Sequence, residues 1–97
     1  MDIGSFSLDD RERLARETDL SSREGDVALL MLLGFKRLVI ARALHIKERT
    51  VATYAERLYA KLAIHSRADL VMRLLCMCPW LIKFVPAARH SAAAASA

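Results

Sequence analysis

Lys47, Arg49, Arg57 and Lys61 fall in one short stretch of the chain together with Thr50 and Thr53. Guanidinium and ammonium groups bind phosphate oxygens, and an arginine can also grip a guanine edge through two parallel hydrogen bonds. A threonine methyl can meet the methyl of thymine. On this reading Arg49 and Thr53 approach base edges while Lys47, Thr50, Arg57 and Lys61 hold phosphates. Lys36 upstream and Tyr54 beside Thr53 complete the set of candidate contacts. Glu56 is the discordant member, because a carboxylate is repelled by phosphate unless it accepts a hydrogen bond from a cytosine amino group. The competing reading is an ordinary solvated helix face that happens to be charged.

No other chemistry has a comparable set. His45, His65 and His90 with Cys76 and Cys78 show no zinc-ligand spacing. There is no glycine-rich phosphate loop and no paired-acid site. The expectation is a protein that is not an enzyme, with no metal, no cofactor and no small-molecule substrate.

The elements that must position these residues are helices. With two prolines, three glycines and no alternating apolar pattern, the chain lacks strand signals. A first helix is expected from Ser7 or Asp9, capped by Ser7-Leu8-Asp9-Asp10 and leaning on the rest through Leu8 and Leu14. The second starts at Ser21-Ser22-Arg23-Glu24, buries Val27, Leu30 and Met31, and stops at Gly34. The third, about 36–43, turns Leu38, Ile40, Ala41 and Leu44 inward. In the fourth, about 48–63, Tyr54, Ala55, Leu58 and Leu62 fall within about 60° of Val51 at 100° per residue, which makes the core stripe. Arg49, Thr50, Ala52, Thr53, Glu56, Arg57, Ala60 and Lys61 occupy the other side. The fifth begins at Ser66, three residues before Asp69, and must end before Pro79. The low-complexity alanine- and serine-rich tail after Ala87 is expected to be disordered.

Composition sets limits on this picture. Ninety-seven residues make one small domain, and a net charge of +4 mildly favours an anionic partner. Two cysteines cannot form a disulfide framework, and on a helix Cys76 and Cys78 point about 200° apart, so a reducing cytoplasmic setting is expected. Residues 1–10 lack the basic start and apolar stretch of a signal peptide. The apolar run 70–85 is interrupted by Arg73, Pro79 and Lys83, which excludes a spanning helix.

Two short helical patterns meeting at Leu44-His45-Ile46-Lys47, the second with polar groups opposite its apolar stripe, have the layout of a helix-turn-helix. Residues 20–71 resemble, without insertion, the C-terminal effector domain of LuxR/FixJ-type (GerE-like) regulators. The resemblance rests on Leu20-Ser21-Ser22-Arg23-Glu24, Val27, Leu30, Gly34, Ile40-Ala41 and Leu44. It continues through Ile46, Thr50-Val51, Leu58, Lys61-Leu62, Ile64, Ser66-Arg67 and Leu70-Val71. It implies an all-α helix-turn-helix bundle of four to five helices, binding to double-stranded promoter DNA, and a homodimer formed through the last helix. Such effector domains end large sensory proteins, which leaves open that this chain is a piece of one.

Four departures from the family pattern bear on readout. Lys36 and Lys47 stand where serine or threonine usually caps the third and fourth helices. Leu38 and Val39 replace a polar residue, Ala52 replaces a basic base-reading residue, and Glu56 replaces a basic or polar one. Altered specificity and weaker affinity are expected, rather than loss of binding. The alternative is a helix-turn-helix-shaped dimerisation or protein-interaction module that no longer reads DNA.

The domain plan expected is a linker or short helix over 1–19, the DNA-binding domain over 20–78, and an apolar extension with its tail over 79–97. Dimerisation is assigned to Leu70, Val71, Met72, Leu74 and Leu75, because the fifth helix is apolar over roughly 260° where one core contact needs about 100°. The competing expectation is that residues 80–86 fold back over that second apolar strip within the monomer.

Overall fold

The computed structural model describes residues 6–85. Five α-helices, α1 (Leu8–Glu17), α2 (Ser22–Leu32), α3 (Arg37–Leu44), α4 (Glu48–Leu62) and α5 (Arg67–Met77), are followed by a 3-10 helix over Pro79–Phe84. No strand is present among the described residues, so the fold is the expected small all-α bundle. The alanine-rich tail lies outside the described residues.

Local sequence sets most boundaries. Ser7 and Ser21 each accept a hydrogen bond from the backbone N–H three residues on, and Asp10 and Glu24 reach back to accept from the cap N–H. Ser66 caps α5 by accepting from Asp69 N, while the Asp69 carboxylate accepts from His65 N instead of completing the box. Lys36 and Lys47 supply no side-chain cap to α3 and α4. The carboxyl ends of α2, α3 and α4 share one closure. Gly34, His45 and Ala63 adopt positive φ of 94°, 57° and 55°. The next residues, Phe35, Ile46 and Ile64, donate back to the carbonyls of Leu30, Ala41 and Tyr59.

The core is built around α2, whose residues from Glu24 to Leu32 are all buried. Val51, Leu58 and Leu62 of α4 and Ile40, Ala41 and Leu44 of α3 pack with it, and Tyr54 and Ala55 are half-buried at the edge. Two expected inward residues face solvent. Leu38 is about 200° around the helix from Ile40, so burying Ile40, Ala41 and Leu44 forces it out. Leu8 lies about 120° from Leu14 on α1 and is 51 % exposed, so α1 is held by other means. Arg11 donates through Nε and Nη2 to both oxygens of the buried Asp26 carboxylate, each at 2.8 Å.

Residues 78–85 pack back within the monomer, with Cys78, Leu81 and Val85 buried, but they leave Met72 on the outer strip of α5 63 % exposed instead of covering it. They meet α1 and the residue before its cap: the ring centres of Phe6 and Phe84 lie 4.4 Å apart, and Trp80 Nε1 donates to Glu17 Oε1 at 2.8 Å. The Arg13 guanidinium lies over the Trp80 ring and donates to Glu17, and these two donors hold the Glu17 carboxyl at about 2. Burial, followed by the Glu17 carboxylate, pushes the Cys78 thiol up to about 11, so it acts as an apolar filler. Among the described residues no helix is long and apolar enough to cross a membrane.

Candidate nucleic-acid interface

The turn His45-Ile46-Lys47 sets α4 beside α3, and α4 makes its largest contacts with α2 and α3. Its inner stripe is fixed in the core. The opposite face is therefore held rigidly outward, which a helix must be if its side chains are to enter a groove. Arg49, Thr53, Glu56, Arg57 and Ala60 are exposed there, with Thr50 and Ala52 half-buried at the margins.

Several of these side chains have defined partners. The Thr53 hydroxyl donates to the Arg49 carbonyl at 3.1 Å, which commits the hydroxyl proton to the helix and leaves the methyl group outward. The Arg57 guanidinium lies 5.8 Å from the centre of the Tyr54 ring, so a half-buried tyrosine steadies an exposed cation. Lys36 and Lys47 are exposed at the starts of α3 and α4, where uncapped backbone N–H groups and a cation lie together. Phosphate oxygens are attracted to that combination.

The geometry gives Lys61 partners within the chain. Its ammonium group donates to Glu24 Oε1 at 2.7 Å and to the Asp19 carbonyl at 3.2 Å. At 100° per residue it projects toward the Tyr54 edge of α4, on the side of Thr50 and Arg57 and away from Thr53 and Ala60. Lys61 is a strut between α4 and the start of α2, so a phosphate would have to share it with a protein partner. Burial alone would raise the Glu24 carboxyl, but hydrogen bonds from Lys61 and Ser21 outweigh it and leave the group below its ordinary range.

The expected dimer surface also has partners within the chain. Leu70 and Leu74 are fully buried and Val71 is buried beside them, while Leu75 is half-buried against the core, so these side chains belong mainly to the monomer. Met72, 63 % exposed, is the member of the expected set that stands outward, and Ala68 and Cys76 flank it one turn away on each side.

Sequence reasoning missed Arg67. Its Nη2 donates to the Phe35 carbonyl at 2.6 Å, tying the start of α5 to the loop that leads into α3. Between the start of α3 and α4 runs an open groove of about 530 Å³, lined by Lys36, Arg37, Ala52, Glu56, Tyr59 and Arg67 among others. Ala52 and Glu56 thus share one wall with Lys36 near by, while Leu38, Val39 and Lys47 lie outside this groove. Among the described residues no group of three or more His, Cys, Asp or Glu side chains is placed to hold a metal ion.

No curated protein and no solved structure matches the chain. Residues 18–74, more than half of its length, match the family described as bacterial regulatory proteins, luxR family. That match spans α2 to α4 and most of α5, and therefore the whole outward face just described. The chain accordingly belongs to the luxR family of bacterial regulatory proteins, whose domain of this type is a DNA-binding helix-turn-helix of transcription regulation.

Proposed function

We propose that this protein binds duplex DNA sequence-specifically, with α4 in the major groove, and regulates transcription as a homodimer. The observation that carries the reading is the rigidly outward face of α4, where Arg49, Thr53, Glu56 and Arg57 are exposed opposite a buried stripe. Arg49 and Thr53 take base edges, while Lys36, Lys47, Thr50 and Arg57 take phosphates, with Tyr54 acting through Arg57. Glu56 limits affinity and biases choice, since only a cytosine amino group repays the proximity of a carboxylate to the phosphates.

Two copies joined through the outer strip of α5, around Met72, would present paired recognition helices to half-sites about 34–36 Å apart on one side of the duplex. The reducing interior of a bacterial cell is the setting that such a regulator requires. If the chain is the effector piece of a larger sensory protein, the signal would reach DNA through this domain.

Titration of the protein with duplex DNA at two salt concentrations tests the reading. Three cations on phosphates in each monomer give a log-log slope of about −3 per monomer, roughly doubled for a dimer. A folded protein that shows no binding at low salt would remove the DNA function. The interaction module would then stand in its place, a reading favoured by Ala52 and Glu56 in the groove wall.

A further inference from the structure

The outer face of α3 has a composition that DNA does not explain. Phe35, Leu38 and Val39 are 39 %, 44 % and 46 % exposed, and they form three of the larger apolar surfaces left in water. On α3, Leu38, Val39 and Arg42 share one side, and Phe35 lies in the loop that leads into the helix. Arg42 therefore lies beside Leu38 and Val39, and Arg37 begins the same helix. From Gly34 to Lys47 the sequence holds four lysines and arginines and no carboxylate. Among the described residues the ion pairs involve Arg11, Arg13, Arg23 and Lys61, so Arg37 and Arg42 are left without an acidic partner.

A phosphate backbone would satisfy the cations and leave the apolar side chains wet, and a neutral apolar partner would do the reverse. A surface that is apolar at its centre and basic around it is complemented by one that is apolar at its centre and acidic around it. The i, i+1, i+4 stripe of Leu38, Val39 and Arg42 suits a second helix laid against the first, and α3 offers no free strand edge for an extended peptide. We infer that the Leu38–Val39 face of α3 is a docking site for an acidic amphipathic helix of another protein. It would be used beside DNA binding and does not depend on it.

The 97-residue chain, isotopically labelled, tests this with a designed helical peptide carrying leucines at i, i+3, i+4 and i+7 between glutamates. A peptide with lysine in place of each glutamate is the control. The acidic peptide is expected to shift the amide signals of residues 35–43 and to bind at least about tenfold more tightly than the lysine version. Leu38→Ser with Val39→Ser, both at exposed positions, should weaken peptide binding by about tenfold and leave duplex DNA affinity within about twofold. Equal binding of the two peptides, or no shift at α3, overturns the proposal. An equal loss of DNA affinity in the double variant assigns the face to DNA and also overturns it. Anionic lipid vesicles that shift the α3 signals when the acidic peptide does not would replace the helix with a membrane surface.

Discussion

Lys61 Nζ lies 2.7 Å from Glu24 Oε1, joining the last turn of the proposed recognition helix to the first turn of the most deeply buried helix. The same Glu24 oxygen accepts the Ser21 backbone N–H that closes the α2 capping box. One carboxylate therefore sets both where α2 starts and how α4 is seated.

Removing the strut should separate positioning from phosphate contact. Lys61→Met leaves Glu24 buried without its cation and should destabilise the fold by about 1–3 kcal/mol, the lower end reflecting the partial exposure of Lys61. Its salt slope for DNA should match that of the unaltered protein, whereas Arg57→Ala should reduce the slope by about one. A fall of one in the Lys61→Met slope would place Lys61 on a phosphate.

The same pair predicts a pH dependence. The Glu24 carboxyl in the folded protein sits below its ordinary value of 4.5, so its stabilisation is present above about that pH. It is lost as the pH falls through the lowered folded value. Glu24→Gln should therefore be less stable than the unaltered protein near neutrality, and the gap should narrow in acid. Denaturant midpoints at about pH 7 and pH 3 measure this, and a constant gap would contradict the assignment.

The cap positions offer a trade between stability and binding. Lys47 places a cation without capping ability at the start of α4. Lys47→Ser should restore a side-chain cap and stabilise the domain by about 1 kcal/mol, raising the melting temperature by roughly 4–8 °C. If Lys47 holds a phosphate, the same variant should bind DNA more weakly, with a salt slope smaller by about one. A variant that is more stable but equally tight would place Lys47 outside the interface.

For self-association the discriminating residue is Met72. Met72→Glu alters an exposed position and should leave the fold intact while giving a monomer with much weaker DNA binding. Leu70→Glu and Leu74→Glu should instead unfold the protein, because both side chains lie in its core. Sedimentation at tens of micromolar with and without DNA distinguishes these outcomes, and a monomeric unaltered protein in both conditions would remove the dimer.

What the sequence made legible was chiefly local. The capping boxes at Ser7 and Ser21, the stop at Gly34 and the α4 stripe through Val51, Leu58 and Leu62 depend on spacings of a few residues. What it hid was the choice of face where apolar side chains outnumber core places. Leu8, Leu38 and Met72 look no less apolar than the residues that were buried, and only packing against α2 decides which remain outside. Arg11 with Asp26, Lys61 with Glu24 and Arg67 with the Phe35 carbonyl are separated in sequence by 15, 37 and 32 positions. No local pattern marks such partners. Arg11 and Lys61 also look like ordinary surface cations until the buried carboxylates are placed.

Glu56 gives the sharpest test of readout. Arg49 is exposed on the same outward face, about 20° away around the helix. If Arg49 grips a guanine, Arg49→Ala should relax preference at one base position by about 1–3 kcal/mol and leave the others unchanged. Glu56 separates two cases. A carboxylate that only repels phosphate predicts that Glu56→Gln tightens binding to every duplex alike. A carboxylate that accepts from a cytosine amino group predicts weaker binding at the preferred site alone, by about 1–3 kcal/mol, with non-specific affinity unchanged or improved. Selection from a random duplex pool, run on both proteins, reads the two outcomes directly. A Glu56→Gln protein with the same selected site and the same affinities would mean that the groove wall formed by Ala52 and Glu56 stays clear of DNA.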